Sequence, residues 1–264
     1  MTDTGKFVSV NDNGRVNATE PVLFVAHPGH ELLLFGWLRR TAPTVHILTD
    51  GSGHSYASRL PASADLLRET GARPGSILGR LTDREAYTMI RERNVPLMLS
   101  IVSELAEELA ERRTPAIICD AAEGYNPVHD LCRLITGAAI VAAGTETMQY
   151  EYAVVGRPDT FDTKVTLDET TFAAKIEAAQ RLAPIIGDVN ELLMRHGRDP
   201  YRTESFRRVA DWTALHSSES PDYERYGEER VASHRYERVI RRGEHMIPLR
   251  DALCAWTESG QFVS

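Results

Sequence analysis

Cysteine is scarce in this chain. Cys119, Cys132 and Cys254 are the only three in 264 residues, and they form neither a close pair nor a metal-ligand spacing. That excludes a disulfide scaffold and points to a reducing compartment, so the expected location is the cytoplasm. Long apolar runs are also missing. Nothing approaches the ~20 residues of a membrane helix, and Met1-Thr2-Asp3-Thr4-Gly5-Lys6 lacks the basic and hydrophobic stretches of a secretory signal. Positive charge is in deficit, with 30 Lys and Arg against 38 Asp and Glu, a net charge of -8. A general nucleic-acid binder needs clustered cations, so that class is excluded. No Gly-x-Gly-x-x-Gly follows the first strand pattern, and Gly51-Ser52-Gly53 lacks the lysine of a phosphate loop, which argues against a nucleotide enzyme. What is present is ordinary for a globular protein: 42% hydrophobic and 26% charged residues.

Apolar periodicity alternates between strand and helix. Val22–Ala26 predicts a buried strand, Glu31–Arg40 a helix and Val45–Leu48 a second strand. Arg59–Thr70 predicts a helix stopped by Gly71, and Ser76–Leu78 a third strand. Leu97, Ile101, Leu105 and Leu109 recur every four residues, one face of a helix over 96–113. Ala116–Cys119 reads as a strand, Leu131–Ala143 as an apolar helix, Tyr150–Val155 as a strand and Phe172–Ile186 as a helix. The fold class is therefore α/β, a Rossmann-like doubly wound and mostly parallel sheet with helices on both faces. Residues 1–20 form a polar N-terminal segment and 21–264 a single domain, of which 151–264 is a cap or a C-terminal extension. Pro221–Gly227 is read as a surface excursion.

Right-handed crossovers bring the carboxyl ends of parallel strands to one edge, where open α/β sheets bind ligands. His27-Pro28-Gly29-His30-Glu31 follows the first strand, Asp50 the second, and Asp120 with the loop to Asn126-Pro127-Val128-His129 a later one. Three histidines from two such loops, His27, His30 and His129, can close on one metal ion. The alternative is three unrelated loop histidines.

At these residues the chain resembles the LmbE/PIG-L family of metal-dependent N-deacetylases, whose motifs are His-Pro-Asp-Asp-Glu and His-Pro-Asp-His. The resemblance runs on through Leu48-Thr49-Asp50-Gly51, Arg59 and Leu81-Thr82-Asp83, over about the first 155 residues, with a weaker echo near Lys175. It implies a zinc site at His27, His30 and His129, where His30 replaces the family's aspartate ligand. The family's general base falls on Gly29 and its charge-stabilising histidine on Asn126, so both proton-handling positions have changed. Zinc held by three imidazoles can lower the pKa of bound water to about 7. A departing amine still needs a proton, help worth ~10²–10⁴-fold.

Glu123 and Asp120 are the expected substitute bases, with Asn126 supporting an oxyanion. Arg59 and Asp83 match positions near the family's substrate, and His54 sits close to a site loop. The activity the resemblance implies is hydrolysis of an N-acyl bond through a metal-bound hydroxide. The substrate would be a small amino sugar, sugar-like conjugate or amine, with no nucleic-acid or membrane partner, on a monomer or a homo-oligomer. Two alternatives stand beside it: iron in the same imidazole set with non-hydrolytic, redox chemistry, or a non-catalytic member that only binds its ligand.

Overall fold

The computed structural model describes residues 20–53, 57–155, 161, 163–182, 190, 193–194, 197–215 and 220–260. Seven strands build one sheet: β1 (Val22–Val25), β2 (Thr44–Thr49), β3 (Arg73–Leu81), β4 (Ala116–Asp120), β5 (Met148–Tyr152), β6 (Thr163–Thr166) and β7 (Thr203–Arg208). Their order is β3-β2-β1-β4-β5-β7-β6. Strands β1 to β5 are mutually parallel, while β7 runs antiparallel to both β5 and β6. The Rossmann-like α/β fold expected from the alternating pattern is thus the fold observed. Part of the C-terminal third extends the same sheet through β6 and β7.

The central strands read as unbroken apolar runs because helices cover both of their faces. Val22, Phe24 and Ala26 point into one core, shared with helices α4 (Val95–Arg112), α5 (Pro127–Ala143) and α8 (Ile247–Ser259). Leu23 and Val25 point into the opposite core, with Trp37 and Leu38 of α1 (Phe35–Thr41), Leu67 of α2 (Leu60–Thr70) and Phe172 of α6 (Glu169–Arg181). One-residue alternation on β1 therefore feeds two layers. Two further helices are α3 (Asp83–Glu92), opened by a Thr82–Glu85 capping box, and α7 (Asp222–Ala232).

The helix expected over Glu31–Arg40 begins instead as a 3₁₀ turn, His30–Leu34, before α1. The segment Pro221–Gly227 is not a loose excursion, since most of it forms the first turns of α7. Its Tyr223 is buried, and the Tyr223 backbone N–H donates to the Gly124 carbonyl at 3.2 Å.

Strand order reverses between β1 and β4, which are hydrogen-bonded neighbours whose following connections leave in opposite directions. That switch point opens a crevice at the strands' carboxyl ends. His27 leaves β1 there and Asp120 ends β4 there.

Candidate metal centre

Two short loops and one helix start place the three histidines. Gly29, between His27 and His30, has φ +101°, a left-handed conformation that side chains with a Cβ rarely adopt, and it opens the 3₁₀ turn that carries His30. Its N–H donates to Glu31 Oε2 at 2.8 Å, and the Glu31 carboxylate also accepts from Ser63 Oγ, so Glu31 clamps the loop from beneath. Burial pushes the Glu31 pKa up. The second loop is pinned by the start of α5. Asn126 is its N-cap and accepts from the Val128 N–H at 2.9 Å, Pro127 is first in the helix, and His129 lies in the first turn, next to the helix's positive end.

The three rings meet. Ring centroids lie 5.3 Å apart for His27 and His30, 5.4 Å for His27 and His129, and 4.6 Å for His30 and His129. Imidazoles bound to one tetrahedral zinc at about 2.0–2.1 Å would have ring centres about 5 Å apart. His129 Nδ1 is buried and has no hydrogen-bond partner, an arrangement that costs free energy unless something else takes its lone pair. Burial, and then the nearby His30, hold the His129 pKa well below its ordinary value, so the ring is neutral, as a ligand must be. The residues therefore fit a transition-metal cation.

The donor atoms converge differently from the rings. Among the described residues, His30, Asp120 and His129 offer ligand atoms all within 4.8 Å of one another. His27 is not in that group, and both of its nitrogens are engaged elsewhere. Nδ1 lies 2.8 Å from Thr49 Oγ1 and 3.1 Å from Asp83 Oδ1, and Nε2 lies 3.3 Å from Asn126 Nδ2. The Asn126 carbonyl oxygen caps Val128, so its amide nitrogen must face His27 and can only donate. His27 Nε2 is then the acceptor, and the Nδ1 proton goes to Asp83 and Thr49. Burial opposes the Asp83 charge, but this hydrogen bond from His27 holds its pKa well below the carboxylate range.

Asp120 is fully buried and engaged through both oxygens. Oδ2 accepts from the Ala26 N–H at 2.8 Å and lies 3.0 Å from His30 Nδ1, while Oδ1 accepts from Tyr152 Oη at 2.7 Å. Burial disfavours its charge, yet His30 keeps its pKa far below the usual range. Burial likewise opposes the charge on His30, and Asp120 outweighs it to raise that pKa.

Of the remaining expected residues, Glu123 accepts from the Val154 N–H at 2.8 Å and the Val155 N–H at 3.1 Å. Its charge reaches His30. Arg59 is the residue before α2, with its backbone N–H on the Asp50 carbonyl at 2.8 Å and its Cβ beside Gly51. Gly51 itself, at φ +66°, lets Pro28 of the first loop approach to a distance no side chain would permit. His54 lies outside the described residues. Sequence alone assigned no role to Thr49, Tyr152, Ser63 or Tyr87, the last of which meets the Asn126 side chain. Thr49 could have been found as the last residue of β2 beside the site, whereas Tyr152 and Tyr87 approach from a neighbouring strand and helix with no motif to mark them.

No protein-family model and no curated protein matches the chain. Solved structures do. The conserved protein TT1542 from Thermus thermophilus superposes with a TM-score of 0.51 at 18% identity, over 76% of this chain and 98% of its own. The A40926 pseudoaglycone deacetylase Dbv21 superposes with a TM-score of 0.46 at 14% identity, over 73% and 99%. The likeness to TT1542 is one of fold, the Rossmann-like α/β arrangement expected from the alternating strands and helices.

Proposed function

We propose that this chain is a divergent LmbE/PIG-L-type hydrolase that cleaves an N-acyl bond on a small sugar-like or amine-bearing molecule. The observation that carries this reading is His129 at the sheet's switch point, its ring packed against two further imidazoles and its Nδ1 buried without a hydrogen-bond partner. His30 and His129 would hold a divalent cation, zinc in the first instance, with His27 joining them when it releases Asn126. When bound, such an ion polarises an acyl carbonyl and acidifies water.

The protein's own groups divide the remaining work. Asp120, committed to Ala26, Tyr152 and His30, orients the His30 imidazole and fixes its tautomer rather than moving protons. Glu123, at the rim and within electrostatic reach of His30, is the carboxylate that moves protons. Asn126, whose amide nitrogen lies against His27 Nε2 and whose side chain also meets the Tyr87 phenol, would turn an N–H from one of these partners to support an oxyanion. Asp83 holds His27 in register, and Arg59, whose Cβ lies beside Gly51, would meet substrate hydroxyls.

Hydrolysis of N-acetylated amino sugars, sugar conjugates and simple N-acyl amines, assayed with and without chelator, tests the proposal. Chelator-sensitive release of acetate supports it, and no release across the panel from metal-loaded protein sinks it. One observation favours a second reading. His30, Asp120 and His129 form a two-histidine, one-carboxylate set, a ligand type suited to non-haem iron. Iron in protein purified without added metal, with oxygen-dependent turnover, would select that reading.

A further inference from the structure

Helix α3 grips the contact between His27 and Asn126 from both ends. Asp83, its first residue, lies 3.1 Å from His27 Nδ1, and Tyr87, one turn on along the same face, hydrogen-bonds to the Asn126 side chain. Asn126 Nδ2 in turn lies 3.3 Å from His27 Nε2, so Asp83, His27, Asn126 and Tyr87 close a ring of contacts on one helix. The Asn126 amide is thus held at three points. Its oxygen caps Val128, its nitrogen faces His27, and the Tyr87 phenol meets it from α3. A planar amide tied in this way cannot turn without breaking one of those bonds.

Tyr87 is itself held from the C-terminal third. Its ring centre lies 6.3 Å from that of Tyr236, at an interplanar tilt of 53°. The Tyr236 hydroxyl accepts from Arg230 Nη1 of α7 at 3.1 Å, and the Tyr236 backbone N–H donates to the Arg230 carbonyl at 3.2 Å. Burial pushes the Tyr87 pKa up, so the phenol keeps its proton at neutral pH.

We infer that Tyr87 is a positioning residue of the metal centre, which locks the Asn126 amide onto His27 Nε2 and so governs whether His27 is released to a cation. The inference rests on the metal-centre part of the hydrolase reading. It also gives α3 and α7 a hold on the centre, although neither contributes a ligand to it. Tyr87 acts only through Asn126, so the loss of its hydroxyl matters only while the amide is present.

Tyr87→Phe keeps the ring that packs on Tyr236 and removes the hydroxyl alone. Zinc affinity of the full chain, measured by competition with a chromophoric chelator, should rise by about two- to tenfold, the worth of one hydrogen bond. In the Asn126→Ser background His27 is already free, so adding Tyr87→Phe should change the affinity by less than about twofold. A merely structural hydroxyl would give the same change in both backgrounds. Long-range proton–nitrogen NMR of the metal-free protein supplies a second readout, since the His27 Nε2 resonance should move in Tyr87→Phe while circular dichroism stays unchanged. Equal zinc affinity in wild type and Tyr87→Phe overturns the inference, as does an equal change in both backgrounds or an unmoved His27 resonance. Assays of N-acyl hydrolysis on the same proteins keep the two failures apart. Hydrolysis with a zinc affinity indifferent to Tyr87 sinks the lock alone, and the expected zinc response without hydrolysis supports the lock and sinks the hydrolase reading.

Discussion

Asp120 Oδ2 receives the Ala26 N–H at 2.8 Å and stands 3.0 Å from His30 Nδ1, so one buried oxygen joins the end of β1 to the ring that its loop presents. The carboxylate therefore acts through His30, and its charge matters separately from its shape. Asp120→Asn keeps an acceptor for Ala26 and for the imidazole while removing the charge. It should weaken metal binding by about 10–100-fold, the usual effect of losing a partner of a ligating histidine. Competition against a chromophoric chelator measures this, and an unchanged dissociation constant would remove Asp120 from the centre.

Asn126 holds the His27 lone pair that a cation would need. The pair is in competition, with Nε2 either accepting the Asn126 amide at 3.3 Å or facing the metal. Asn126→Ser preserves a good N-cap for α5, costing only a few tenths of a kcal/mol in helix stability, and frees His27. Metal affinity should rise, and with saturating metal the gain in thermal stability should exceed that of wild type. Stabilisation by a ligand at 100 times its dissociation constant is about 2.7 kcal/mol. His129→Ala should abolish the metal-induced shift altogether. Thermal melts with and without zinc read both, and a smaller shift in Asn126→Ser than in wild type would mean that His27 is not a ligand.

The central sheet and the site's address were legible because buried parallel strands write themselves as apolar runs, and the loops after them follow from handedness. The edges were not. Strand β3 spans Arg73–Leu81, yet only Ile77 and Leu81 are buried along it, so hydrophobicity marked three residues of nine. Thr203–Arg208 looks polar, but its Glu204 and Ser205 are buried, and what makes it a strand is its pairing with β5 and β6. The same limit applied to the site. Three histidines could be placed on one edge by topology, whereas the engagement of His27 by Asn126 depends on the side-chain geometry of a helix cap. The Tyr125–Tyr226 ring contact joins residues a hundred apart, and nothing local in Pro221–Gly227 announces it.

Gly29 is often the first position one would restore, since the family pattern has an aspartate there. The backbone opposes it. At φ +101° a Cβ is strained, at a cost of about 1–3 kcal/mol, and the neighbouring Glu31 carboxylate adds like charge. Gly29→Asp should therefore lower stability by about as much as Gly29→Ala or more, and should not by itself raise hydrolytic activity. Urea unfolding of the two variants beside wild type separates strain, common to both, from charge. A Gly29→Asp protein as stable as wild type would show that the loop relaxes.

Lys175 and Glu204 form a buried pair beneath the junction of the 3₁₀ turn and α1. Lys175 Nζ donates to the Leu33 carbonyl at 2.6 Å and to Glu204 Oε1 at 3.0 Å, and the Glu204 carboxylate accepts from the N–H groups of Gly36 and Trp37, both at 2.8 Å. The pair satisfies both the end of the turn and the start of the helix that follows His30. Lys175→Met leaves Glu204 buried without its cation and should cost about 3–5 kcal/mol. The pH dependence has a definite sign. Burial lowers the Lys175 pKa below 10.5 despite the attraction of Glu204, so the unfolded chain binds more protons between the folded value and 10.5. Stability from this group therefore rises as pH increases through that window. The stability difference between wild type and Lys175→Met, followed by denaturant titration from neutral pH to about pH 10, should widen with pH. A constant difference would mean that the lysine keeps an ordinary pKa in the fold, and a narrowing one would reverse the sign derived from its burial.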